Sequence, residues 1–450
     1  MKMPLILNRE ESPLLCRETS EEFEPINADF SAQVHALFNA LKACEEDSNT
    51  EAGRPRFPEG GLDLGIIIGL QSYDIGLECW HRSFHSRRLS LVGASSLSQV
   101  SCVTKLQIAA DDGYEVSFDC TRPVSLRVPL ELALKLPALQ ELDCPWLWEQ
   151  TMVPFESPAL RSYSRVWEGP WRDSRHEFGR AVEELHEQMP SSLRKARIWF
   201  WKPRYAFGDD QTVAMPNLIS PADKDPVSSG LRTIASHLEE LDLRAFLTHD
   251  LFEAPVQWPR LRRLRIEFHP CRPDGCWYFV GPRGENPNPE GFEITDEHYP
   301  PTSPNEYDNE VDEEFDENWG EPDSHLPDMF RTEPVPDKIE PILSAFATAL
   351  KGMTALEEAE LFTHISWGPS EERLAEYGNE APYDADYGGR RWGVRYVPGK
   401  DGVEGLVEWQ IGAWRPDKGV IKLFDDLGGG SEVKMVWKLF EFMNWRGSCR

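Results

Sequence analysis

The chain has 450 residues, 40% of them hydrophobic, and a formal net charge of −30. That length holds two or three ordinary domains or one extended array, and the acidic balance argues against a nucleic-acid partner, because phosphate binding needs clustered Lys and Arg. The nine cysteines are scattered, odd in number and mostly set in apolar runs, which fits free buried thiols in a reducing compartment.

Residues 1–60 read as a partly helical leader. Met3 to Leu7 is too short for a signal-peptide core, and the longest apolar stretch, Leu64 to Leu70, falls far short of a membrane span. Cytoplasm or nucleus is therefore the expected location, with no membrane partner. Phe30 to Cys44 carries helical periodicity through Val34, Leu37, Phe38 and Leu41, with Asp29 as a possible cap. Glu46 to Gly61 reads as a loop.

From Leu62 onward a short phrase recurs: an apolar residue, two polar positions, an apolar residue, one polar position and an apolar residue. It appears as Val103–Leu106–Ile108, Leu139–Leu142–Cys144, Leu160–Tyr163, Leu193–Ala196–Ile198, Leu238–Leu241–Leu243, Leu261–Leu264–Ile266 and Leu356–Ala359–Leu361. Amphipathic stretches (Leu130–Leu136, Arg180–Met189, Leu231–His237) precede several copies. Helix then strand, copied repeatedly, predicts a parallel sheet with helices on one side. The pattern resembles an irregular leucine-rich repeat, so the expected fold class is α/β: a solenoid with parallel strands on one face and helices on the other. The spacing of copies is uneven, and Ala206 to Asp225 reads as one long loop.

Residues 61–284 thus form a degenerate repeat array. Residues 285–338 hold 18 acidic against two basic residues. They read as a disordered acidic insertion, because such a segment cannot bury enough apolar surface to offset its ordering entropy. This insertion is either a solvated surface segment or a bait for a basic surface, and the protein's own Arg260, Arg262, Arg263 and Arg265 are one such surface. Residues 339–450 form the last repeat and a β-rich cap. Pro341 to Lys351 reads as a helix. Arg391 to Trp414 reads as a β-hairpin, with Trp392, Val394 and Tyr396 alternating on one arm and Val407, Trp409 and Ile411 on the other.

Chemistry-bearing motifs are sparse. His269, Cys271 and Cys276 supply soft ligands without a second pair, so a Pro-Asp-Gly turn is expected there and not a zinc site. His81 and His85 lack the glutamate of a metalloprotease motif. There is no nucleophile elbow, no phosphate-cradling loop and no dinucleotide fingerprint, and Gly428–Gly430 reads as a joint. The chain is expected to be non-catalytic, without a cofactor or a metal. The alternative from another class, a carbohydrate-active enzyme, rests on abundant carboxylates and tryptophans alone.

Alternation points the residues between the apolar members of each phrase to the opposite, open side of the sheet. Those residues are Glu141 and Asp143; Lys195, Arg197, Trp199 and Trp201; Glu240, Asp242 and Arg244; and Arg263, Arg265 and Glu267. Mixed charge with Trp and Arg is the make-up of a protein-recognition surface; the plainer reading is that these charges solvate the sheet and that a neighbouring loop covers Trp199 and Trp201.

Further phrases carry a family resemblance. Met329 to Pro334 runs into Pro341–Leu350; Met353 to Leu361 follows, and then Trp409–Trp414 with Arg415-Pro416-Asp417. In these stretches the chain resembles fungal F-box proteins with a divergent leucine-rich-repeat-like body. The resemblance implies a substrate receptor of a ubiquitin ligase, which binds one protein on its repeats and a cullin-ligase adaptor through an N-terminal three-helix F-box. No Leu-Pro-x-Glu phrase followed by amphipathic helices occurs in residues 1–60, so a stand-alone interaction scaffold is the other expectation.

Overall fold

The computed structural model describes residues 2–3, 19–50, 60–68, 87–108, 122–147, 149, 167–201, 210–253, 258–300, 327–378, 383, 388–400, 402–428, 433–439 and 442–443. The chain divides into two compact units, residues 1–202 with 295–324, and residues 203–294 with 325–450. The Leu160–Tyr163 phrase and the His81/His85 pair lie outside the described residues. Both units are α/β.

The first unit carries five parallel strands in sequence order: β1 (Lys2–Met3), β2 (Leu62–Ile68), β3 (Val103–Ile108), β4 (Glu141–Cys144) and β5 (Lys195–Trp199). Its helices are α1 (Ser20–Thr50), α2 (Val128–Ala133) and α3 (Glu168–Leu185). α1 runs further than the periodicity predicts, because its apolar stripe begins earlier: Ile26, Phe30, Val34 and Phe38 are all buried. Asn27 fixes the helix to the chain at Ser90, whose amide it accepts at 2.7 Å. Glu45 accepts the amides of Ser101 and Cys102 just before β3. The helical part of the leader is therefore built into this unit.

The second unit has a six-strand path of β6 (Glu240–Ala245), β7 (Arg263–Phe268), β10 (Glu358–Trp367), β11 (Gly388–Val397), β12 (Gly405–Gln410) and β13 (Val433–Trp437). A short β14 (Phe442–Met443) also pairs with β11, while β8 (Phe279–Val280) and β9 (Glu333–Pro334) form a separate ribbon. β6, β7 and β10 are parallel, β11 and β12 form the expected antiparallel hairpin, and β13 is again parallel to β12. The helices are α4 (Pro226–Ala235), α5 (Pro336–Leu350), α6 (Glu371–Tyr377) and α7 (Lys418–Asp425). Each of the four starts as sequence logic requires: Asp225, Ser370 and Asp417 cap with their side chains, and Pro stands in the first turn of α4 and α5.

The recurring phrase is one structural unit, a turn followed by a strand. Its lead residue closes a turn, as in Leu139 N to Leu136 O, Leu193 N to Pro190 O, Leu261 N to Trp258 O and Leu356 N to Met353 O. The next residue bonds to the neighbouring phrase: Gln140 N to Thr104 O, Arg194 N to Gln140 O, Arg262 N to Glu239 O and Glu357 N to Arg262 O. The apolar pair that follows, such as Leu264 and Ile266 or Leu106 and Ile108, is buried.

The tryptophans of the second unit anchor a run of rings beneath its sheet. Trp258 contacts Phe252, Phe252 contacts Phe346, Phe346 contacts Phe424, and Phe424 meets Trp409 edge-on at 4.7 Å; Trp409 stacks on Trp437. Such pairs add about 0.5–1.5 kcal/mol each beyond their buried area.

Both ends of the acidic stretch 285–338 are ordered. Phe292 N bonds to Met215 O and Asn217 N to Phe292 O, which also pins the expected 206–225 loop. Tyr299 donates its hydroxyl to Asp173 on α3 and accepts from Arg172 at 2.6 Å. Phe330 and Arg331 are fully buried. Composition alone misjudged these ends, because a few aromatic and Arg anchors outweigh the acidic average. Residues 301–326, with the Glu310–Glu317 run, lie outside the described residues.

Among the described residues, no helix is long and apolar enough to cross a membrane.

Candidate binding face

Parallel pairing in register sets like positions of neighbouring phrases side by side, and the sequence places opposite charges there. In the first unit Asp63, Lys105, Glu141 and Lys195 form one row across β2 to β5. Lys105 reaches Glu141 at 2.6 Å and Asp143 at 3.8 Å. The Glu141 hydrogen bond holds the Lys105 ammonium above its ordinary range, against the pull of burial. One row on, Arg197 grips Asp143 with two bonds, Nε at 2.6 Å and Nη2 at 2.7 Å. The same guanidinium lies 5.0 Å from the Trp199 ring centroid. Arg197 and Trp199 are both half-buried, and Lys195 is exposed.

In the second unit the row is longer. Asp242, Arg265, Glu360, Arg395 and Glu408 stand in register across five strands and alternate acid with base throughout. Arg265 bonds Asp242 at 3.0 Å; Arg395 bonds Glu358 at 2.5 Å and Glu408 at 2.7 Å. Lys438 closes the row on Glu408 at 2.8 Å. That bond, more than the one from Arg395, draws the Glu408 carboxyl below its ordinary range. Glu240 and Glu358 flank Arg263 in the row before.

The next row runs Arg244, Glu267, Phe362, Gly393 and Gln410. Phe362 lies under two guanidinium groups, Arg391 at 3.9 Å and Arg265 at 4.7 Å. Gly393 opposes it because a Cβ there would stand 2.6 Å from the Phe362 Cβ. Glu267 takes Arg244 at 2.9 Å and the His364 ring nitrogen at 3.3 Å.

Burial corrects the expected face at four positions. Asp143, Arg244 and Glu267 are 3%, 6% and 6% exposed: Arg197 lies over Asp143, and Arg244 and Glu267 pair with each other. Trp201 lies past the end of β5 and is 6% exposed, so it belongs to the core. Glu141, Arg197, Trp199, Glu240, Asp242 and Arg265 are half-buried, while Lys195 and Arg263 are exposed. The basic cluster is engaged within its own sheet: Arg262 and Arg263 both reach Glu357, at 2.5 Å and 3.9 Å. Glu358, Glu360, His364, Arg391 and Arg395 are additions to the face, while Phe362 in the same alternation is fully buried beneath Arg265 and Arg391. The Leu356–Ala359–Leu361 phrase carried the signal for the first two, by the same alternation.

Burial pushes the Glu267 carboxyl up, but the His364 hydrogen bond and the Arg244 and Arg265 charges outweigh it and hold the group at about 2. A carboxyl depressed on folding stabilises the native state above its unfolded pKa of about 4.3 and loses that contribution as pH falls through the folded value. The expected result is a loss of about 2 kcal/mol between pH 4.5 and 2 that Glu267→Gln does not show. Urea midpoints at several pH values in that window, compared between the two proteins, check it; parallel curves would refute it.

The Cys271–Cys276 segment is the expected turn. Cys271 bridges Trp277, Arg272 N bonds to Cys276 O, and Gly275 takes φ 80°. His269 accepts the Cys271 amide on Nδ1 and stacks on Phe246 at 3.9 Å. Among the described residues, no three His, Cys, Asp or Glu side chains gather in a way that could hold a metal ion. No family model, no curated protein and no solved structure matches this chain.

Proposed function

We propose that the chain is a non-catalytic protein-binding repeat protein that holds its partner on the strand face of its sheets, as the substrate-recognition bodies of F-box proteins do. The observation that carries this reading is the Arg197–Trp199 pair. Asp143 fixes the guanidinium with two bonds, the indole lies against it, and both stay half-exposed on a regular strand. Trp and Arg dominate interface hot spots, and side chains ordered before binding lose less entropy on contact.

A stand-alone scaffold is the second reading, and one feature of the leader supports it. Its described helix is a single span of 31 residues packed into the first unit, unlike the three short helices of an F-box. The partner is a protein in both readings.

The test is a pull-down from the native host with the wild-type chain, with Trp199→Ala plus Arg197→Ala, and with Arg180→Ala on exposed helix surface as a control. Two hot-spot truncations of about 2 kcal/mol each weaken a complex by hundreds of fold. A partner held by wild type and control and lost with the double variant supports the reading. Equal recovery by all three refutes it. Direct titration with the purified cullin adaptor decides between receptor and scaffold.

A further inference from the structure

The second unit contains a cleft of about 530 Å³ that lies away from the strand rows. Three loops build it: residues 217–224, the turn after β6 at 248–253, and the 272–274 turn. Its charged groups are mostly spent on each other. Lys224 and Arg232 take both oxygens of Glu253, and Arg272 takes both of Asp274.

Asp250 is the exception. It is 8% exposed, and its bonds from the Asp225 amide at 3.0 Å and the Thr248 hydroxyl at 2.6 Å both go to Oδ2. Among the described residues Oδ1 receives no donor, and it is not sealed from solvent, so it opens to the cleft that Asp250 lines. The carboxylate is locked in place. Ser228 donates to Asp225, Thr248 N donates to Ser228 Oγ, and Asp225 in turn caps α4. Beside it Ile219, Pro221 and Ala222 offer apolar surface, and Asp223 adds an exposed carboxylate.

We propose that this cleft binds an aliphatic primary ammonium group, with the ammonium on Asp250 Oδ1 and its methylene stem along Ile219, Pro221 and Ala222. The described lining carries four carboxylates (Asp223, Asp250, Glu253, Asp274) against Lys224, Arg272 and the imidazole of His249, which selects a cation over an anion. A fixed acceptor with an unused oxygen selects a ligand that brings N–H donors. Among the described lining residues there is no Trp, Tyr or Phe, and the one aromatic ring is the His249 imidazole, so a sugar finds no indole or phenyl platform and a quaternary ammonium no cage. A lysine side chain of another protein and a free polyamine share this chemistry. The proposal is independent of the strand face.

The test is calorimetric titration of the full chain, in about 0.15 M salt to screen surface attraction. The probes are Nα-acetyl-lysine methylamide, spermidine, n-butylamine and, as the neutral isostere, n-butanol. The amines are expected to bind and n-butanol not. Asp250→Asn keeps an acceptor for the Asp225 amide but sets an NH2 group against the ammonium, and is expected to weaken amine binding at least tenfold. Binding of the lysine probe alone assigns the site to a protein partner, and of spermidine alone to a polyamine. Binding by neither, or equal binding to Asp250→Asn with an unchanged melting curve, overturns the proposal. Should Asp250→Asn fail to fold, the n-butylamine against n-butanol comparison on wild type still decides: equal heats overturn it.

Discussion

Arg175→Met is expected to destabilise the first unit by about 3–5 kcal/mol. Arg175 on α3 pairs with Glu149 at 2.7 Å, and neither side chain has any exposed surface. The same Glu149 oxygen accepts the Trp171 indole N–H at 2.9 Å. Arg88 is close by, and burial draws its guanidinium down to about 10 despite the Glu149 charge. Removing Arg175 leaves a buried carboxylate with less compensation, and that residual charge is the source of the penalty. The double variant with Glu149→Gln is expected to recover much of the loss, since Gln still accepts from Trp171 and carries no charge. Urea unfolding of the three variants, followed by tryptophan fluorescence, measures this. A single variant within about 0.5 kcal/mol of wild type would show that the pair contributes nothing net.

The second large effect is expected at Arg331. Its guanidinium is fully buried, and all its acceptors are uncharged: the carbonyls of Gln211, Phe279 and Pro287 and the side chain of Asn286. It also lies 4.8 Å from the Trp277 ring centroid. Arg331→Met deserts these acceptors together, at about 3 kcal/mol or more. Because they sit on three separate segments, the damage is local before it is global. Hydrogen exchange is expected to quicken at Phe292 and Asn217, while β6, β7 and β10 stay protected. Uniform loss across the sheet would mean that Arg331 stabilises the whole unit and not the loops it joins.

The strands were legible wherever a phrase supplied its own turn and its own alternation. Leu264 and Ile266 are buried because Arg263, Arg265 and Glu267 interrupt them at period two, and any strand with that pattern sorts the same way. The pairing of charges was legible only in part. The pattern places Asp143 on the open side, but nothing in residues 139–144 tells that Arg197, 54 positions later, will cover it. Strand order decides that, and strand order is a property of the whole chain. Glu267 is the sharper case, since His364 is 97 positions away. The cleft at Asp250 was not legible. Its three loops share no periodicity and come together only because α4 and the turn after β6 are tied by a buried network of Asp225, Ser228 and Thr248. Acidic composition predicted disorder too broadly, because it averages over anchors such as Phe292, Tyr299 and Phe330.

The alternating rows have a kinetic consequence. Neighbouring strands are about 4.8 Å apart, so plus and minus along Asp242, Arg265, Glu360, Arg395 and Glu408 cancel within a few ångströms of the surface. A partner in solution does not feel them. What it feels at a distance is the chain's net charge of −30, which hastens basic molecules, slows acidic ones, and fades as salt shortens the Debye length. On the proposed reading of the strand face, salt therefore acts on arrival, whereas the rows act only after contact, by rejecting a surface whose charges fall one strand out of step.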